Sequence, residues 1–398
     1  MLLPFFMKIY DNVYKYYVFI TLRNLFLLIS INILYYQNFG LSYKQIMLIA
    51  MILSGVMVLL ELPSGVFADK YGRKLSIILS GIFLVIGAVL LAYGSGFWMF
   101  ALSMVFMGVS ISFQSGADSA LVYDSLLAVG KVKEYKRIES TGTALKLAGF
   151  GLGGLIGAYL FSINIRLPYY VYVGICVLTL IASFTFEEPK IHRAESTHWK
   201  HLGLSFKFIK NQREVKFLIL YSALITAFAH ISHRFQQPFL ASTGLDVKYF
   251  GLVYLLILVI PAIIIRYTDL IEERFGERIM LIIIPLLITI NFLILGMTKN
   301  LLVGIVMLFS FHIASEMLLP IIKTYLNKHV ESDMRATVLS VNSFIFHMIF
   351  IVFSFFIGWI ADIFTFAQGF LALGVLVGIT SVITLYIWFN GRTSFTSS

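Results

Sequence analysis

Long apolar stretches, separated by short polar segments, run from one end of the chain to the other. About 20 apolar residues are enough for a helix to cross a bilayer, and glycine, proline and charged residues mark the ends of such stretches. The predicted spans are residues 14–38, 43–68, 75–94, 97–128, 136–163, 168–187, 214–240, 247–271, 278–297, 301–328, 334–363 and 366–390. The pattern predicts an all-α membrane protein with twelve transmembrane helices.

Composition agrees with lipid as the main solvent. Charged residues make up 13% of the chain, whereas about 25% is usual in soluble proteins. No stretch remains for a separate enzyme domain, and the sequence has no nucleotide-binding loop, metal-ligand cluster or nucleophile motif. The single cysteine, Cys176, lies in an apolar run and excludes an intramolecular disulfide. We therefore expect neither an enzyme nor a bound cofactor or metal.

Basic residues indicate the orientation in the membrane. They are scattered between the apolar runs, which is typical of loop anchors rather than of a nucleic-acid-binding surface. If the amino terminus is cytoplasmic, the opposite side holds only Lys44, Arg166, Lys248 and Lys299. Because cytoplasmic loops carry the excess of Lys and Arg, the sequence predicts that both termini are cytoplasmic. Richness in Ile, Phe, Tyr and Lys favours an AT-rich bacterial genome, and hence a multi-pass protein of the bacterial cytoplasmic membrane.

The longest polar stretch, residues 187–216, lies between the sixth and seventh spans. It divides the chain into an N-terminal six-helix half (1–187), a cytoplasmic linker (188–213) and a C-terminal six-helix half (214–398). A weak repeat supports the division, because DKYGRK at 69–74 follows the second span and ERFGER at 273–278 follows the eighth.

The string GVFADKYGRK at residues 65–74 resembles the cytoplasmic signature between the second and third helices of the major facilitator superfamily. Gly72 permits a tight turn, and Asp69 with Arg73 can form a charge-assisted clamp. The resemblance implies a twelve-helix secondary transporter in which Asp124, near the inner end of the fourth helix, joins this clamp. The alternative is a solvated loop of anchoring charges. The residues of the predicted conformational gate are Glu61, Asp69, Gly72, Arg73, Lys74 and Asp124.

The fifth span contains AGFGLGGLIGAYL, which resembles a degenerate copy of the family's antiporter motif. The predicted helix-packing glycines are Gly149, Gly153, Gly154 and Gly157. This motif favours export, although glycines at such spacing also serve helix packing alone. The arginine that proton-linked exporters of the family carry on the fourth helix is absent, since Met104 precedes Gly108 at that place. Arg23 is the candidate substitute.

Ionisable residues inside the spans are costly and therefore mark candidate substrate or coupling sites. These candidates are Arg23, Asp118, His230, His233, Arg234, His312 and Glu316. Arg23 and Asp118 lie at comparable depth, so their pairing would lower the cost of each charge. His312 and Glu316 are four residues apart and share a helix face. The alternative for each histidine is a hydrogen-bonded packing residue.

From these features we expect an exporter of a small organic molecule, a drug or metabolite, coupled to protons or another ion and working as a monomer. The interior is not predominantly acidic, which favours an anionic or zwitterionic solute. Aromatic residues would equally form a permissive apolar pocket. The alternatives are a nutrient importer on the same fold and a lipid-handling or receptor-like membrane protein.

The predicted orientation is testable by cysteine labelling. In a Cys176→Ala background, a cysteine at Ser196 should not react with an impermeant maleimide added to intact cells, because the charge pattern places this segment inside. A cysteine at Lys299, on the opposite side, should react under the same conditions. Labelling of position 196 in intact cells would show that the orientation is wrong.

Overall fold

The computed structural model describes residues 10–189, 212–330 and 335–392. Every regular element in these ranges is helical. The α-helices are α1 Asn12–Asn24, α2 Asn32–Asn38, α3 Tyr43–Tyr71, α4 Arg73–Tyr93, α5 Phe97–Gln114, α6 Ala117–Ala128, α7 Tyr135–Ile163, α8 Leu167–Phe184, α9 Arg213–Ser242, α10 Phe250–Ile264, α11 Thr268–Phe275, α12 Glu277–Met297, α13 Leu301–His329, α14 Arg335–Ile363 and α15 Phe366–Arg392. Single 3₁₀ turns precede α7, α10 and α11. Most of the predicted linker lies outside the described residues.

Within the described ranges, 11 helical stretches are long and apolar enough to cross a membrane. The first predicted span is instead divided into α1 and α2, joined by the non-helical segment 25–31. The fourth predicted span is also interrupted: α5 ends at Gln114 and α6 begins at Ala117, after Gly116 at φ 75°. Both interruptions lie in segments for which the sequence predicted one continuous helix.

The chain forms two compact units. Unit 1 comprises Met1–Leu41, Leu48–Ser196 and Asp246–Leu255, and unit 2 comprises Ser42–Met47, Thr197–Leu245 and Leu256–Ser398. In unit 1, α4 packs on α5 and α8, and α1 packs on α7 and α8. In unit 2, α12 packs on α13 and α15, and α9 packs on α14 and α15. The same pattern of helix contacts therefore recurs in the two units.

The repeated loop motif also has one backbone role in each unit. Gly72 (φ 105°) directly precedes α4, and Gly276 (φ 77°) directly precedes α12. A residue with a Cβ rarely adopts such positive φ values. The turn that both copies of the motif make therefore accounts for a glycine at the same place in each.

The glycine face of α7 lies against the interrupted first span. A Cβ on Gly149 would be 3.0 Å from the Asn24 carbonyl, and a Cβ on Gly153 would be 2.8 Å from the Phe26 backbone. At Gly157 there is no room at all, because a Cβ would overlap the Leu27 carbonyl oxygen. Glycine spacing in the sequence thus corresponds to a surface on which backbone meets backbone.

This packing makes Gly157 intolerant of even one added carbon. We expect Gly157→Ala to lower stability by about 1–3 kcal/mol, since a backbone atom must move to admit the methyl group. The matched control is Gly174→Ala on α8, where an added Cβ has no heavy atom within 4 Å. Thermal unfolding of both purified variants in detergent measures the difference. Equal melting temperatures would contradict the proposed contact.

Candidate functional site

Arg73, in the first turn of α4, joins two acidic residues of unit 1. Its Nε donates to Asp124 Oδ2 at 2.9 Å, and its Nη2 lies 3.4 Å from Asp69 Oδ1. Asp124 is buried on α6 and Asp69 is half-buried near the end of α3. The structure thus brings together the three charged side chains that the signature suggested, and it links α3, α4 and α6.

Glu188 completes this cluster, and the sequence analysis missed it. Its carboxylate accepts hydrogen bonds from the backbone N–H groups of Arg73 at 3.0 Å and Lys74 at 2.6 Å. A negative group at a helix N-terminus satisfies free N–H donors and is favoured by the helix dipole. Gly72 leaves the room, because a Cβ there would be 3.1 Å from the Glu188 carboxyl carbon. No local pattern pairs residue 188 with residue 73.

Glu61 is not part of the cluster. It lies about two turns before Asp69 on α3, and its side chain is exposed. Its carboxylate makes no hydrogen bond or ion pair with another residue of the described ranges, although its backbone carbonyl accepts the Ser64 hydroxyl at 3.2 Å. Its place in a conformational gate remains a prediction.

A second polar group of unit 1 lies where α1 and α5 end. Arg23, in the last turn of α1, donates from Nε to Gln114 Oε1 at 2.6 Å and from Nη2 to Ser110 Oγ at 2.8 Å. Gln114 in turn donates to Asp118 Oδ2 at 3.0 Å. Direct pairing of Arg23 with Asp118 was wrong, because the Gln114 amide lies between them and bonds to both.

Asp118 is held on both oxygens. Oδ1 accepts the backbone N–H of Ser119 at 2.8 Å, and Oδ2 accepts the Gln114 amide. The residue is buried in the first turn of α6, where a helix N-terminus stabilises a negative charge. Gln114 and Asp118 are four residues apart, and this spacing in the sequence could have predicted their contact.

Glu139 on α7 is a further carboxylate that the sequence analysis missed. Its two oxygens accept the hydroxyl groups of Tyr16 at 3.2 Å and Ser119 at 3.1 Å. The Tyr16 ring also covers Gly142, where a Cβ would be 2.7 Å from the ring. Glu139 therefore connects α7 to α1 and α6 beside the Asp118 group.

Unit 2 contains the three candidate histidines His230, His233 and His312. The ring centroids of His233 and His312 are 5.2 Å apart, and those of His230 and His233 are 5.5 Å apart. The Gln236 amide nitrogen lies 3.2 Å from a ring nitrogen of each of His233 and His312. A neutral imidazole both donates and accepts, so one amide can join two rings.

Two neighbours of this histidine group differ from it in role. Arg234 contacts the group through backbone, because its Nη1 donates to the His230 carbonyl at 2.8 Å, and its guanidinium lies over the Phe350 ring at 5.4 Å. His347 on α14 is a buried histidine that the sequence analysis missed. No set of three or more His, Cys, Asp or Glu in the described part of the chain has the arrangement of a metal site.

Glu316 lies one turn beyond His312 on α13 but in different surroundings. His312 is buried against Gln236, whereas Glu316 is exposed. The Glu316 carboxylate has no hydrogen bond or ion pair with any residue in the described ranges. The sequence predicted that both residues would share a helix face and therefore the same surroundings. Instead, the His312 imidazole is packed inside the protein, whereas the Glu316 carboxylate is accessible.

Comparisons with known proteins identify the family of this fold. The Major Facilitator Superfamily profile matches residues 17–269. The chain is 27% identical to the MFS-type transporter YxaM of Bacillus subtilis, itself uncharacterized, over 82% of this chain and 84% of that one. A shorter match to the quinolone resistance protein NorA of Staphylococcus aureus is 25% identical and covers 44% of each chain.

Solved structures show the same fold. The nucleoside transporter NupG superposes with a TM-score of 0.76 at 15% identity, covering 96% of this chain and 98% of that one. A bacterial homolog of the human lysosomal transporter Spinster gives 0.72 at 17% identity, covering 96% and 97%. Together with the family profile and the spans, these likenesses show that the chain belongs to the Major Facilitator Superfamily and is a multi-pass membrane transporter.

Proposed function

We propose that the protein is a proton-coupled exporter of a small organic molecule that works by alternating access. In this proposal it has twelve spans, the first being the interrupted pair α1 and α2, and both termini lie on the cytoplasmic side of a bacterial membrane. The alternative is import of a nutrient on the same fold, which differs in the direction of flux.

The observation that carries proton coupling is the contrast between two intramembrane carboxylates. Asp118 accepts two hydrogen bonds and lies at a helix N-terminus, so its charge is stabilised where it is. Glu316 is exposed and without such partners in the described ranges. A group that must gain and lose a proton needs access and freedom from fixed donors, so Glu316 is the proton carrier in this proposal.

Two further observations favour export. The sequence of the glycine face of α7 resembles the family's antiporter motif, which favours export, although its packing against backbone also fits helix packing alone. The quinolone resistance protein NorA matches part of the chain. Norfloxacin, a quinolone with a basic piperazine ring, is a zwitterionic aromatic carboxylate, which is a solute class that the mixed charges of the interior favour.

Replacing Glu316 with Gln keeps the side-chain shape and removes the exchangeable proton. In liposomes with an imposed pH gradient, we expect accumulation of norfloxacin by Glu316→Gln to fall to that of protein-free liposomes, while norfloxacin exchange without a gradient persists. Proton flux, followed with trapped pyranine on adding norfloxacin, should disappear in parallel.

Glu134→Gln is the matched control, because Glu134 pairs with Lys131 at the 3₁₀ turn that precedes α7. It should transport as the unsubstituted protein does. Full gradient-driven accumulation by Glu316→Gln would remove Glu316 as carrier. A protein that moves organic solutes only inward in oriented vesicles would contradict export.

The Arg73 cluster should act on conformational cycling rather than on binding. Ion pairs that remain partly exposed contribute up to about 1 kcal/mol, so we expect Asp69→Asn or Arg73→Ala to shift the equilibrium between states about fivefold or more. Transport at matched membrane levels should fall while norfloxacin affinity changes little. Unchanged transport rates in both variants would contradict a latch at this position.

A further inference from the structure

Unit 2 contains a cavity of about 320 Å³ between α9, α13 and α14. Its polar wall comes from Ser222, Thr226, Lys323, Asn342 and Ser343. Leucine, isoleucine and alanine side chains and the Phe346 ring form the rest of the lining. Ligand pockets range from about 300 to 1,000 Å³, so this volume suits a solute of one or two rings.

The formal charge in the cavity lining is positive. Lys323 is the charged residue of its lining, and no Asp or Glu lines it. The Lys323 ammonium makes no ion pair with a carboxylate in the described ranges. Lys323 lies inside α13 and lines the cavity together with hydroxyl and amide groups.

The amide in the wall is oriented for donation. Ser222 Oγ lies 3.0 Å from Asn342 Oδ1 and 3.1 Å from the Ile219 carbonyl. Since the Asn342 oxygen accepts from Ser222, the group that Asn342 offers to a ligand is its NH₂. An ammonium, an amide NH₂ and the hydroxyls of Thr226 and Ser343 form a set rich in donors.

The surroundings continue this pattern toward the histidine group. Phe346 contacts the His230 ring, with centroids 5.0 Å apart, and His230 lies one turn beyond Thr226 on α9. Glu316 is two turns from Lys323 on α13, or about 10 Å along the helix axis. One end of the region is therefore cationic and the other carries a carboxylate.

We propose that this cavity binds the carboxylate of an organic anion, with Lys323 as its counter-charge and Asn342, Thr226 and Ser343 as hydrogen-bond donors. Phe346 and the aliphatic wall bind the ring system. The solute class is an aromatic monocarboxylate whose far end is neutral or cationic, because Glu316 disfavours a second negative charge there. This rests on the proposed function, since it assigns a binding site to the transported solute.

The test compares 2-naphthoate with neutral 2-naphthamide, which has the same ring and no charge. Calorimetry on the purified full chain gives both dissociation constants. Because a hydrogen bond to a charged group is lost, we expect Lys323→Gln to raise the dissociation constant of 2-naphthoate about tenfold or more. The dissociation constant of 2-naphthamide should not change, and Lys323→Arg should retain most of the 2-naphthoate affinity.

Lys299→Gln is the matched control, because Lys299 lies between α12 and α13 and away from the cavity. Monodisperse elution of each variant controls for folding. Equal 2-naphthoate affinity in Lys323→Gln and the unsubstituted protein would overturn the proposal. So would equal affinities of the unsubstituted protein for the acid and the amide.

A lipid headgroup is the other source of an anion. In nanodiscs, we expect 2-naphthoate to bind equally well with phosphatidylcholine alone and with added phosphatidylglycerol. Loss of Lys323-dependent binding on adding phosphatidylglycerol would assign the cavity to lipid and overturn the solute proposal.

These binding measurements need no gradient, so they test the binding site independently of the proposed transport function. Lys323-dependent binding without any solute flux in liposomes would leave the site in place and contradict export. Proton-driven export that Lys323→Gln leaves unchanged would leave the proposed function in place and contradict the site.

Discussion

Inside a bilayer every backbone N–H and C=O group must find a partner within the protein. Continuous helices meet this constraint alone, but the segment 25–31 does not. Its peptide groups form short turns, such as Phe26 N–H to the Asn24 carbonyl at 2.7 Å. The glycine face of α7 covers them, and Ser30 Oγ donates to the Gly154 carbonyl at 2.9 Å. The interruption in the first span thus depends on the absence of side chains on α7.

The interruptions also create helix ends at which charge is tolerated. Arg23 is in the last turn of α1 and Asp118 in the first turn of α6. Each charge has the sign that the helix dipole stabilises at its end. Gln114 bonds to both side chains, so two charges remain inside unit 1 without direct contact. The described residues of unit 2 contain no such pair of opposite charges joined by an amide. The Glu316 carboxylate of unit 2 is therefore less constrained than that of Asp118.

The two units use similar packing for different chemistry. Both repeats place a glycine of positive φ before the helix that follows the loop motif, yet in unit 1 that helix start is capped by Glu188 and clamped by Arg73. Unit 2 instead concentrates imidazoles around Gln236 and lines a cavity with Lys323 and hydroxyl groups. Among the described residues, polar groups that hold helix ends lie mainly in unit 1, and the polar cavity lining lies in unit 2.

Much of this architecture follows from the sequence by itself. The lengths of apolar runs set the spans, the loop signature gave the family, and the rarity of intramembrane charge singled out Arg23, Asp118 and Glu316. Each of these features lies within a short stretch of the chain, so the sequence alone is enough to identify it. Only the tertiary structure decided that Gln114 separates Arg23 from Asp118, that Glu188 caps a helix more than 100 residues away in sequence, and that Lys323 lines a cavity. Each of these depends on which helices pack together, and helix contacts distant in sequence leave no periodic trace along the chain.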